Sequence, residues 1–530
     1  MATSESGPEA APPGSAAEAD AGEADAPSSE ADAPSPASPS APPCASSSAP
    51  ASAQESTPAS QQEPISPQTA HATEVELAEV RLSEVVVSGR QSSSFESIKS
   101  RTISRPEGYV PVGKKHKVRV IRGPTEITPE WLTKVFTARK YLKPGGFVKA
   151  VRHKPLGGGL GVMGEIGIVE VDLEGASSRA PTTFVAKFCP QNSFGLPRPI
   201  KETLERNVFG VEAHWYNDFL EEDLALPRPE AYFIGAKLAH RKPWRRSPVF
   251  CMLIELMPPA LYSRVSGCDN LRHCMLLMET LARFHANWWE AEKAPPIEFI
   301  THPAKDMGGI AVQVLAVTAA LGIPALRRCF GEPYAKVLEW APMLSRRVHQ
   351  RLARMMFKAP LTLAHGDVHL DNIFFNESFA QGLKLIDFGN IMILQGCFDV
   401  ASFIGTCLDP PFRRAHEAAL IGHYHATLTD ALPPEKAAAF PLERCWRDYR
   451  VNLWRMLINI TYVTYTQFDK ERKAGKGIFA KEPTKEDAKL KATYAAVNSR
   501  LAEALVDNKF DEIIRECRNK RRGWFSRRAR

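Results

Sequence analysis

Two short segments of the sequence combine residue types that are suited to phosphoryl transfer. The first, His365-Gly-Asp367-Val-His-Leu-Asp-Asn372, places an aspartate five residues before an asparagine, and Ile386-Asp387-Phe-Gly follows it along the chain. Phosphoryl transfer requires little covalent chemistry from a protein, but it requires metal ions against the phosphates and a carboxylate beside the attacking hydroxyl. We therefore predict that Asp367 is the catalytic base and that Asn372 and Asp387 bind Mg²⁺.

A glycine-rich segment upstream is suited to binding the phosphates of a nucleotide. Gly159, Gly161 and Gly164 fit the pattern G-x-G-x-x-G. The pattern alone is weak evidence, because dinucleotide-binding folds share it and because glycines are common in plain turns. Here the glycines lie between two strand-like runs and not before a helix, as expected of a hairpin whose backbone folds over phosphates.

Lys187 is a second candidate for the nucleotide site. It lies within the apolar run Phe184-Val-Ala-Lys187-Phe188. An ammonium group is costly to bury in such a strand unless it meets anions. The segment also resembles the V-A-x-K of kinases, and this resemblance implies that Lys187 binds the α- and β-phosphates of ATP.

The pattern of apolar residues predicts a small β-rich lobe followed by a larger helical lobe. Thr128-Pro-Glu has the N-cap and the first-turn proline of a helix start. Alternating runs then predict three strands within residues 147–189, a helix over about 200–220 and a strand pair over 231–256. Helical patterns dominate afterwards, except at residues 361–404, where two β-like runs flank a turn. The predicted fold class is α+β with two lobes.

The composition divides the chain unevenly. The first 80 residues contain thirteen Asp or Glu and no Lys or Arg, in a background of Ala, Pro and Ser. Such a segment cannot bury enough apolar surface to offset the entropy lost on ordering, so we predict a disordered tail and linker over residues 1–105. Residues 81–530 carry a net charge of about +20, which favours anionic ligands such as a nucleotide polyphosphate. The further predicted divisions are residues 106–257 for the N-terminal lobe with its leading helix, 258–514 for the helical lobe and 515–530 for a basic tail.

Targeting signals and cysteine spacing point to a cytoplasmic protein. The sequence contains neither a run of 18 apolar residues nor the features of a signal or transit peptide. Its ten cysteines are scattered singly, without a C-x-x-C pair, which argues against a zinc site or a disulfide scaffold. The basic tail, with Trp524 and Phe525 among its arginines, has three interpretations: nuclear import, weak contact with an anionic membrane surface, and a solvated terminus, which we favour.

Together these segments resemble the small-molecule kinases that comprise aminoglycoside phosphotransferases, choline kinases and ecdysteroid kinase-like proteins. In this group the loop reads H-G-D-x-x-x-x-N, whereas protein kinases carry Arg in place of Gly366, and the segment at Asp399 resembles the D-x-A that follows the metal-binding strand. No A-P-E follows Asp387 at activation-loop distance. Many ecdysteroid kinase-like members carry another residue where Gly389 stands, so the chain departs from their pattern there. The resemblance covers residues 128–510 and implies a bilobal protein kinase-like fold with a nucleotide between the lobes.

The resemblance also implies roles for further residues. Glu212 fits an E-x-x-x-Y pattern on a predicted helix and would pair with Lys187, although a solvated helix glutamate is the alternative. Glu255 and Met257 follow an apolar strand at the expected junction of the lobes, where backbone groups of a hinge would bind adenine.

Histidines in the matching segments are expected to support the site without acting as catalysts. The helix with His285 matches a helix of the same group, and we expect His285 to pack in the core. We expect His365 to orient the catalytic loop by hydrogen bonding. For His369 two interpretations stay open, a residue that borders the acceptor and one that only packs.

The predicted function is transfer of the γ-phosphate of ATP, with Mg²⁺, to a hydroxyl of a small molecule. A catalytically silent nucleotide-binding scaffold is the alternative, which loss of Asp367, Asp387 or Lys187 would have favoured, and a protein kinase is less favoured. The acceptor stays open among aminoglycosides, choline-like compounds, sugars, nucleosides and steroids, because no recognisable motif describes its pocket. We expect a small hydroxylated partner and no nucleic acid. The sequence leaves the oligomeric state and the choice between ATP and GTP open.

Overall fold

The computed structural model of the protein describes residues 118–155, 165–189, 208–217, 226–237, 249–293, 300, 302–303 and 309–519. All of them belong to one unit, Val80–Arg530. The predicted N-terminal tail, the three glycines of the G-x-G-x-x-G segment and residues 520–530 of the basic tail lie outside the described residues.

Helix α1 (Pro129–Ala138) begins where the sequence predicts it. The Thr128 side chain accepts a hydrogen bond from the Trp131 backbone N–H at 3.2 Å, and Pro129 occupies the first turn, where its missing N–H costs nothing. The apolar stripe of α1 is buried and faces the core of the N-terminal lobe.

The N-terminal lobe is built on a five-stranded antiparallel sheet. Its strands are β1 (Leu142–Pro155), β2 (Glu165–Ala176), β3 (Thr183–Phe188), β4 (Ala231–Lys237) and β5 (Val249–Glu255), in the spatial order β1-β2-β3-β5-β4. The three predicted strands and the predicted strand pair are confirmed. Because β1 and β2 pair antiparallel, the glycine segment falls between two paired strands, as predicted.

Part of the helix predicted over residues 200–220 is present. Helix α2 covers residues 208–217. The rest of the predicted segment lies beyond the part of the chain that the structure describes.

The C-terminal lobe is mostly helical. Its helices are α3 (Leu271–Asn287), α4 (Gly309–Phe330), α5 (Ala335–Glu339), α6 (Arg346–Met356), α7 (Cys397–Cys407), α8 (Pro410–Asp430), α9 (Pro434–Ala438), α10 (Leu442–Val463), α11 (Lys470–Lys473), α12 (Lys485–Asp507) and α13 (Phe510–Asn519), with a π-helical turn at Thr464–Asp469. Helix α10 packs against α4, α7 and α12, and α3 packs against α8. Helix α13 continues past residue 515, where the basic tail was expected to begin.

Within the described chain, one helix is long and apolar enough to cross a membrane when only length and composition are considered. This stretch is Val312–Phe330 in α4, and about a quarter of it is buried in the protein. It contains no uninterrupted run of 18 apolar residues, because Gln313, Thr318 and the pair Arg327-Arg328 lie within it.

Two short antiparallel strand pairs interrupt the helices and carry the predicted catalytic segments. Strands β7 (Ile373–Phe375) and β8 (Leu383–Leu385) pair as predicted. A second pair, β6 (Thr362–Ala364) and β9 (Met392–Leu394), was not predicted, since three-residue strands are too short to show a periodicity. With its β-rich and helical lobes, the chain has the predicted α+β bilobal, kinase-like fold.

Two phenylalanines of the N-terminal sheet allow a matched test of this core. Phe184 is fully buried between Phe136 and Tyr232, whereas Phe147 is 43% exposed. We expect Phe184→Ala to lower the free energy of unfolding by about 3–5 kcal/mol and Phe147→Ala to change it by less than about 1 kcal/mol. Urea-induced unfolding measures both. Equal losses in the two variants would contradict this assignment of the core.

Candidate active site

Lys187 lies at the centre of an ion cluster that joins the two lobes. From the end of β3 its Nζ reaches Glu212 Oε2 at 2.8 Å and Oε1 at 3.1 Å, and Asp387 Oδ1 at 2.9 Å. Glu212 comes from α2, and Asp387 follows β8 in the other lobe. The predicted ion pair between Lys187 and Glu212 is therefore present, and a second carboxylate completes the cluster.

The three groups of this cluster shift one another's pKa values. Burial lowers the pKa of Lys187, but the carboxylates of Asp387 and Glu212 outweigh burial and leave it above its ordinary value. Burial raises the pKa of Glu212 by more than Lys187 lowers it. The Lys187 ammonium lowers the pKa of Asp387. Glu212 is thus the carboxyl that most readily takes up a proton as the pH falls.

Aromatic packing fixes the segment that carries Asp387. Asp387 has a left-handed backbone with φ of 65°, a conformation that aspartate adopts more readily than most residues. Phe388 is fully buried and stacks on Trp215 of α2, with ring centroids 5.5 Å apart. A Cβ at Gly389 would lie 2.6 Å from Val208 Cγ1 of the same helix. Phe388 and Gly389 therefore pack against α2, the helix that carries Glu212, and hold the neighbouring Asp387 beside it.

The predicted base and its neighbouring asparagine lie on the loop between β6 and β7. The Asp367 side chain is 37% exposed, and its Oδ2 accepts a hydrogen bond from Asn390 Nδ2 at 3.3 Å. Asn372 Nδ2 donates to the Asp367 carbonyl at 3.0 Å, and no described residue donates to Asn372 Oδ1. The Ile386 N–H donates to the Asn372 carbonyl at 3.0 Å, which places Asn372 beside the segment of Asp387.

The donor atoms of Asn372 and Asp387 suit a hard cation. Mg²⁺ prefers oxygen ligands and is usually held by one or two carboxylates together with substrate phosphates and water. An amide oxygen and a carboxylate fit that description. No group of three His, Cys, Asp or Glu side chains in the described residues is arranged to hold a metal ion. The pair therefore suits a cation that is shared with a ligand.

Two histidines order the catalytic loop. His365 Nδ1 accepts from the Asp367 backbone N–H at 3.2 Å, so its Nε2 carries the proton and donates to the Ile386 carbonyl at 3.1 Å. This hydrogen bonding is the orienting role that the sequence predicts for His365. His369 Nε2 lies 3.6 Å from Asp367 Oδ1 and accepts from Asn372 Nδ2 at 3.3 Å. Burial lowers the pKa of His369, which keeps the ring neutral and able to accept this bond.

Asp399 holds the loop in place, a role that sequence reasoning missed. Its fully buried carboxylate accepts from the backbone N–H groups of His365 at 2.7 Å and Gly366 at 2.9 Å, and from His285 Nε2 at 3.3 Å. His285 is packed in the core as predicted, where its Nδ1 also meets Tyr424 Oη at 2.9 Å. The available signal was an acidic residue inside the apolar run of α7, because a buried carboxylate requires hydrogen-bond donors.

Gly366 is required by the shape of this loop. Its φ is 81°, and a Cβ at this position would lie 2.2 Å from the Asn390 carbonyl oxygen. No larger residue fits without moving the segment that contacts Asp367. Glycine in the H-G-D sequence is therefore a consequence of close backbone packing, and an arginine at this position would need a different loop.

The hinge candidates lie at the junction of the lobes. Glu255, the last residue of β5, accepts from Lys384 Nζ of β8 at 2.7 and 2.8 Å. Its backbone N–H donates to the Glu230 carbonyl at 2.9 Å. Met257 follows in a partly buried, irregular segment. The Glu255 side chain thus joins the two lobes, a contact that the sequence did not predict.

The structure brings together most, but not all, of the predicted site. Lys187, Glu212 and Asp387 are in contact, and Asp367 and Asn372 lie on the adjoining loop. Gly159, Gly161 and Gly164 lie outside the described residues, so their place in the site stays a prediction.

Comparison with known families gives one match. The model of the ecdysteroid kinase-like family matches residues 162–434, which is just over half of the chain. This range contains the ion cluster and the catalytic loop, and it confirms the resemblance that the motifs indicate. No curated protein matches the chain.

Solved structures of small-molecule kinases are among the structural matches. Choline kinase from Cryptosporidium parvum is 11% identical, with a TM-score of 0.40, and the match covers 73% of this chain and 99% of that one. Ethanolamine kinase from Plasmodium vivax is 12% identical, with a TM-score of 0.38, and the match covers 72% and 89% of the two chains. Aminoglycoside phosphotransferase APH(3'')-Id from Streptomyces rimosus is 14% identical, with a TM-score of 0.32, and the match covers 58% and 92%.

Replacing Lys187 with Met tests the charge balance of the cluster. The variant leaves Glu212 buried beside Asp387 without a cation, which we expect to cost about 3–5 kcal/mol of unfolding free energy near neutral pH. The loss should shrink toward about pH 5. Without the Lys187 ammonium, which lowers the pKa of Glu212, burial raises that pKa further than in the wild type, so the folded variant takes up a proton at a higher pH than the folded wild type or the unfolded chain does. Urea-induced unfolding at about pH 5 and about pH 8 measures this change.

Lys384→Met is the matched control for this experiment. Lys384 also pairs with a glutamate, but both partners are more exposed, so the loss should be about 1 kcal/mol or less and nearly independent of pH. If Lys187→Met lost the same free energy at both pH values, Glu212 would have to stay ionised without its lysine.

Proposed function

The chain belongs to the ecdysteroid kinase-like family, and we propose that it transfers the γ-phosphate of ATP, with Mg²⁺, to a hydroxyl of a small molecule. The observation that carries the proposal is the cluster of Lys187, Glu212 and Asp387 beside the loop of Asp367 and Asn372. These are the groups that phosphoryl transfer uses, and they come from both lobes of the fold.

Asp367 is the proposed base. Its carboxylate is partly exposed, so an acceptor hydroxyl can reach it, and Asn390 holds one of its oxygens. In the proposed reaction the acceptor oxygen attacks the γ-phosphorus and gives its proton to Asp367, while the bond from that phosphorus to the β–γ bridging oxygen breaks and ADP leaves. The contacts of His365 and Asp399 keep the loop from moving during this step.

Lys187 is the proposed ligand of the α- and β-phosphates, with Glu212 fixing its position. The pKa of Lys187 is raised, so the amine is a permanent cation at physiological pH. Gly159, Gly161 and Gly164 are proposed to cover the phosphates, and the backbone at Glu255 and Met257 to bind adenine.

Asn372 and Asp387 are the proposed Mg²⁺ ligands. When bound, the cation would neutralise charge on the phosphate oxygens. Both residues stay close to Asp367 through the hydrogen bonds of the loop. We also propose that the acceptor is a small hydroxylated molecule and that the protein is cytoplasmic. The acceptor assay described below identifies the class of alcohol.

Asp367→Asn tests the proposed base. We expect Mg²⁺-dependent ADP release in the presence of an acceptor to fall by about 10²- to 10⁴-fold, because the amide cannot accept the hydroxyl proton. The acceptors to be tested are choline, aminoglycosides, sugars, nucleosides and sterols. Glu377→Gln, an exposed carboxylate in the β7–β8 turn, is the matched control and should keep full activity.

Two outcomes of this assay would contradict the proposal. Full activity of Asp367→Asn would exclude Asp367 as the base. Nucleotide binding by the wild-type chain without turnover of any acceptor would instead favour the catalytically silent scaffold.

Asp387→Asn tests the proposed metal ligand. In the wild-type protein we expect Mg²⁺ to strengthen ATP binding, and in the variant we expect the Mg²⁺ affinity of the ATP complex to fall roughly 10- to 100-fold. Isothermal titration calorimetry with and without Mg²⁺ measures this effect. Asp371→Asn is the matched control, because the Asp371 carboxylate binds Arg264 Nε at 2.6 Å. An equal loss in both variants would count against a specific role of Asp387.

A further inference from the structure

Helix α4 exposes an apolar face that the proposed reaction does not use. Val314, Val317 and Leu321 are 45%, 53% and 49% exposed, and Ala320 and Pro324 between and after them are also exposed. Residues spaced by three, four and seven positions lie on one side of a helix. We call these five residues the α4 face.

The opposite side of α4 is fixed to the protein. Ala316, Ala319 and Leu326 are buried, and the helix packs against α10 and α6. Helices α4 and α10 cross so closely that a Cβ at Gly322 would lie 2.4 Å from Thr461 Cβ. Helix α4 is therefore a packed helix of the lobe with one apolar side open, and it is not free to cross a bilayer.

The surroundings of the α4 face are basic. The sequence from Gly309 to Gly331 contains no Asp or Glu, and it ends with exposed Arg327 and Arg328, of which Arg328 pairs with Asp469. Helix α6, beside α4, has four arginines and no acidic residue. Its Arg346 donates to Gln313 Oε1 at 3.0 Å, next to the start of the face.

Helix α13 packs against α6, and the sequence that follows α13 is basic. Arg351 of α6 donates to the Cys517 carbonyl near the end of α13. Beyond α13, residues 520–530 contain six Lys or Arg and no acidic residue, with Trp524 and Phe525 among them. The acidic residues of α13 form ion pairs with arginines outside α6; these pairs are Asp511 with Arg515, Glu512 with Arg450 and Glu516 with Arg447.

An exposed tyrosine follows the residue at which α10 crosses α4. Tyr462 follows Thr461, the residue at the crossing with Gly322, and is 53% exposed. Tyrosine combines an apolar ring with a polar hydroxyl and is enriched where a protein meets the boundary between lipid and water.

We propose that the α4 face docks on a membrane surface that contains anionic phospholipids. The apolar side chains would enter the boundary between headgroups and acyl chains, while the arginines of α6 would contact headgroup phosphates and carboxylates. The basic surroundings would repel a second copy of the chain that docked by the same face. The acidic N-terminal residues match the charge, but residues 1–64, which hold ten of the thirteen carboxylates, contain no Val, Leu, Ile, Phe, Trp or Tyr to fill an apolar face.

The test is co-sedimentation of the full chain with phosphatidylcholine vesicles, with and without phosphatidylserine. We expect binding only when phosphatidylserine is present, and weaker binding at high salt. The double variant Val317→Glu, Leu321→Glu should bind at least about tenfold less. Arg347→Glu with Arg354→Glu, two exposed positions of α6, should also bind less.

Leu442→Glu is the matched control, because Leu442 is an exposed leucine (37%) at the start of α10. It should bind like the wild type, and thermal unfolding should show that all variants stay folded. The proposal is overturned if the wild type does not bind, if it binds equally without phosphatidylserine, or if the α4 variants bind like Leu442→Glu. It is also overturned if the wild type is a dimer that ignores vesicles and the α4 variants are monomers, since the face would then bind a second copy.

Discussion

The buried ammonium group of Lys187 is the constraint on which the rest of the site depends. A lysine that has lost its water needs anionic partners, and this one finds them on two elements that are 25 and 200 residues away in the sequence. Glu212 requires α2 to lie against β3, and Asp387 requires the β7–β8 hairpin to lie beneath the sheet. The packing of Phe388 on Trp215 and of Gly389 on Val208 supports the same arrangement without charge. The two lobes are thus joined at the point where the proposed chemistry takes place.

A second set of contacts gives the loop of Asp367 one conformation. Asp399 accepts from two successive backbone N–H groups, and His365 connects the loop to the Ile386 carbonyl in front of Asp387. Glu212, His365 and Asp399 are buried, and electrostatic interactions are strong where water is excluded. The base candidate and the metal-ligand candidates are therefore connected by hydrogen bonds. Such preorganisation is what electrostatic catalysis requires, because groups already in place cost no reorganisation when charge develops.

The proposed nucleotide site and the α4 face differ in their distribution of charge. In the ion cluster, Asp387 contacts the Lys187 ammonium that is also proposed to bind phosphates. We therefore expect that a bound nucleotide and its cation would replace part of the contact between Lys187 and Asp387. With one ammonium and two carboxylates, the cluster has a net charge of −1 when all three groups are ionised. On the α4 side the arginines of α6 have no acidic residues on their own helix or on α4, and the adjoining side chains are apolar. One surface suits a small charged ligand that is enclosed between the lobes, and the other suits an extended anionic surface.

The sequence by itself determined the residues that carry chemistry and the elements that hold them. Lys187 within an apolar strand, Asp387 after a short strand and the Thr128 cap of α1 depend on neighbours in the chain, so local patterns were enough to predict them. Only the tertiary structure decided that Asp399 holds the loop, that Gly366 must be glycine, that Lys384 meets Glu255 and that α4 leaves an apolar side open. Each of these features depends on groups that are distant in sequence. Such groups supply the hydrogen-bond donors, limit the space at Gly366 or cover one side of the helix. A local pattern shows that a buried carboxylate needs hydrogen-bond donors and that an apolar helix needs a packing partner. Only the packed structure shows which groups these are and which side of the helix stays exposed.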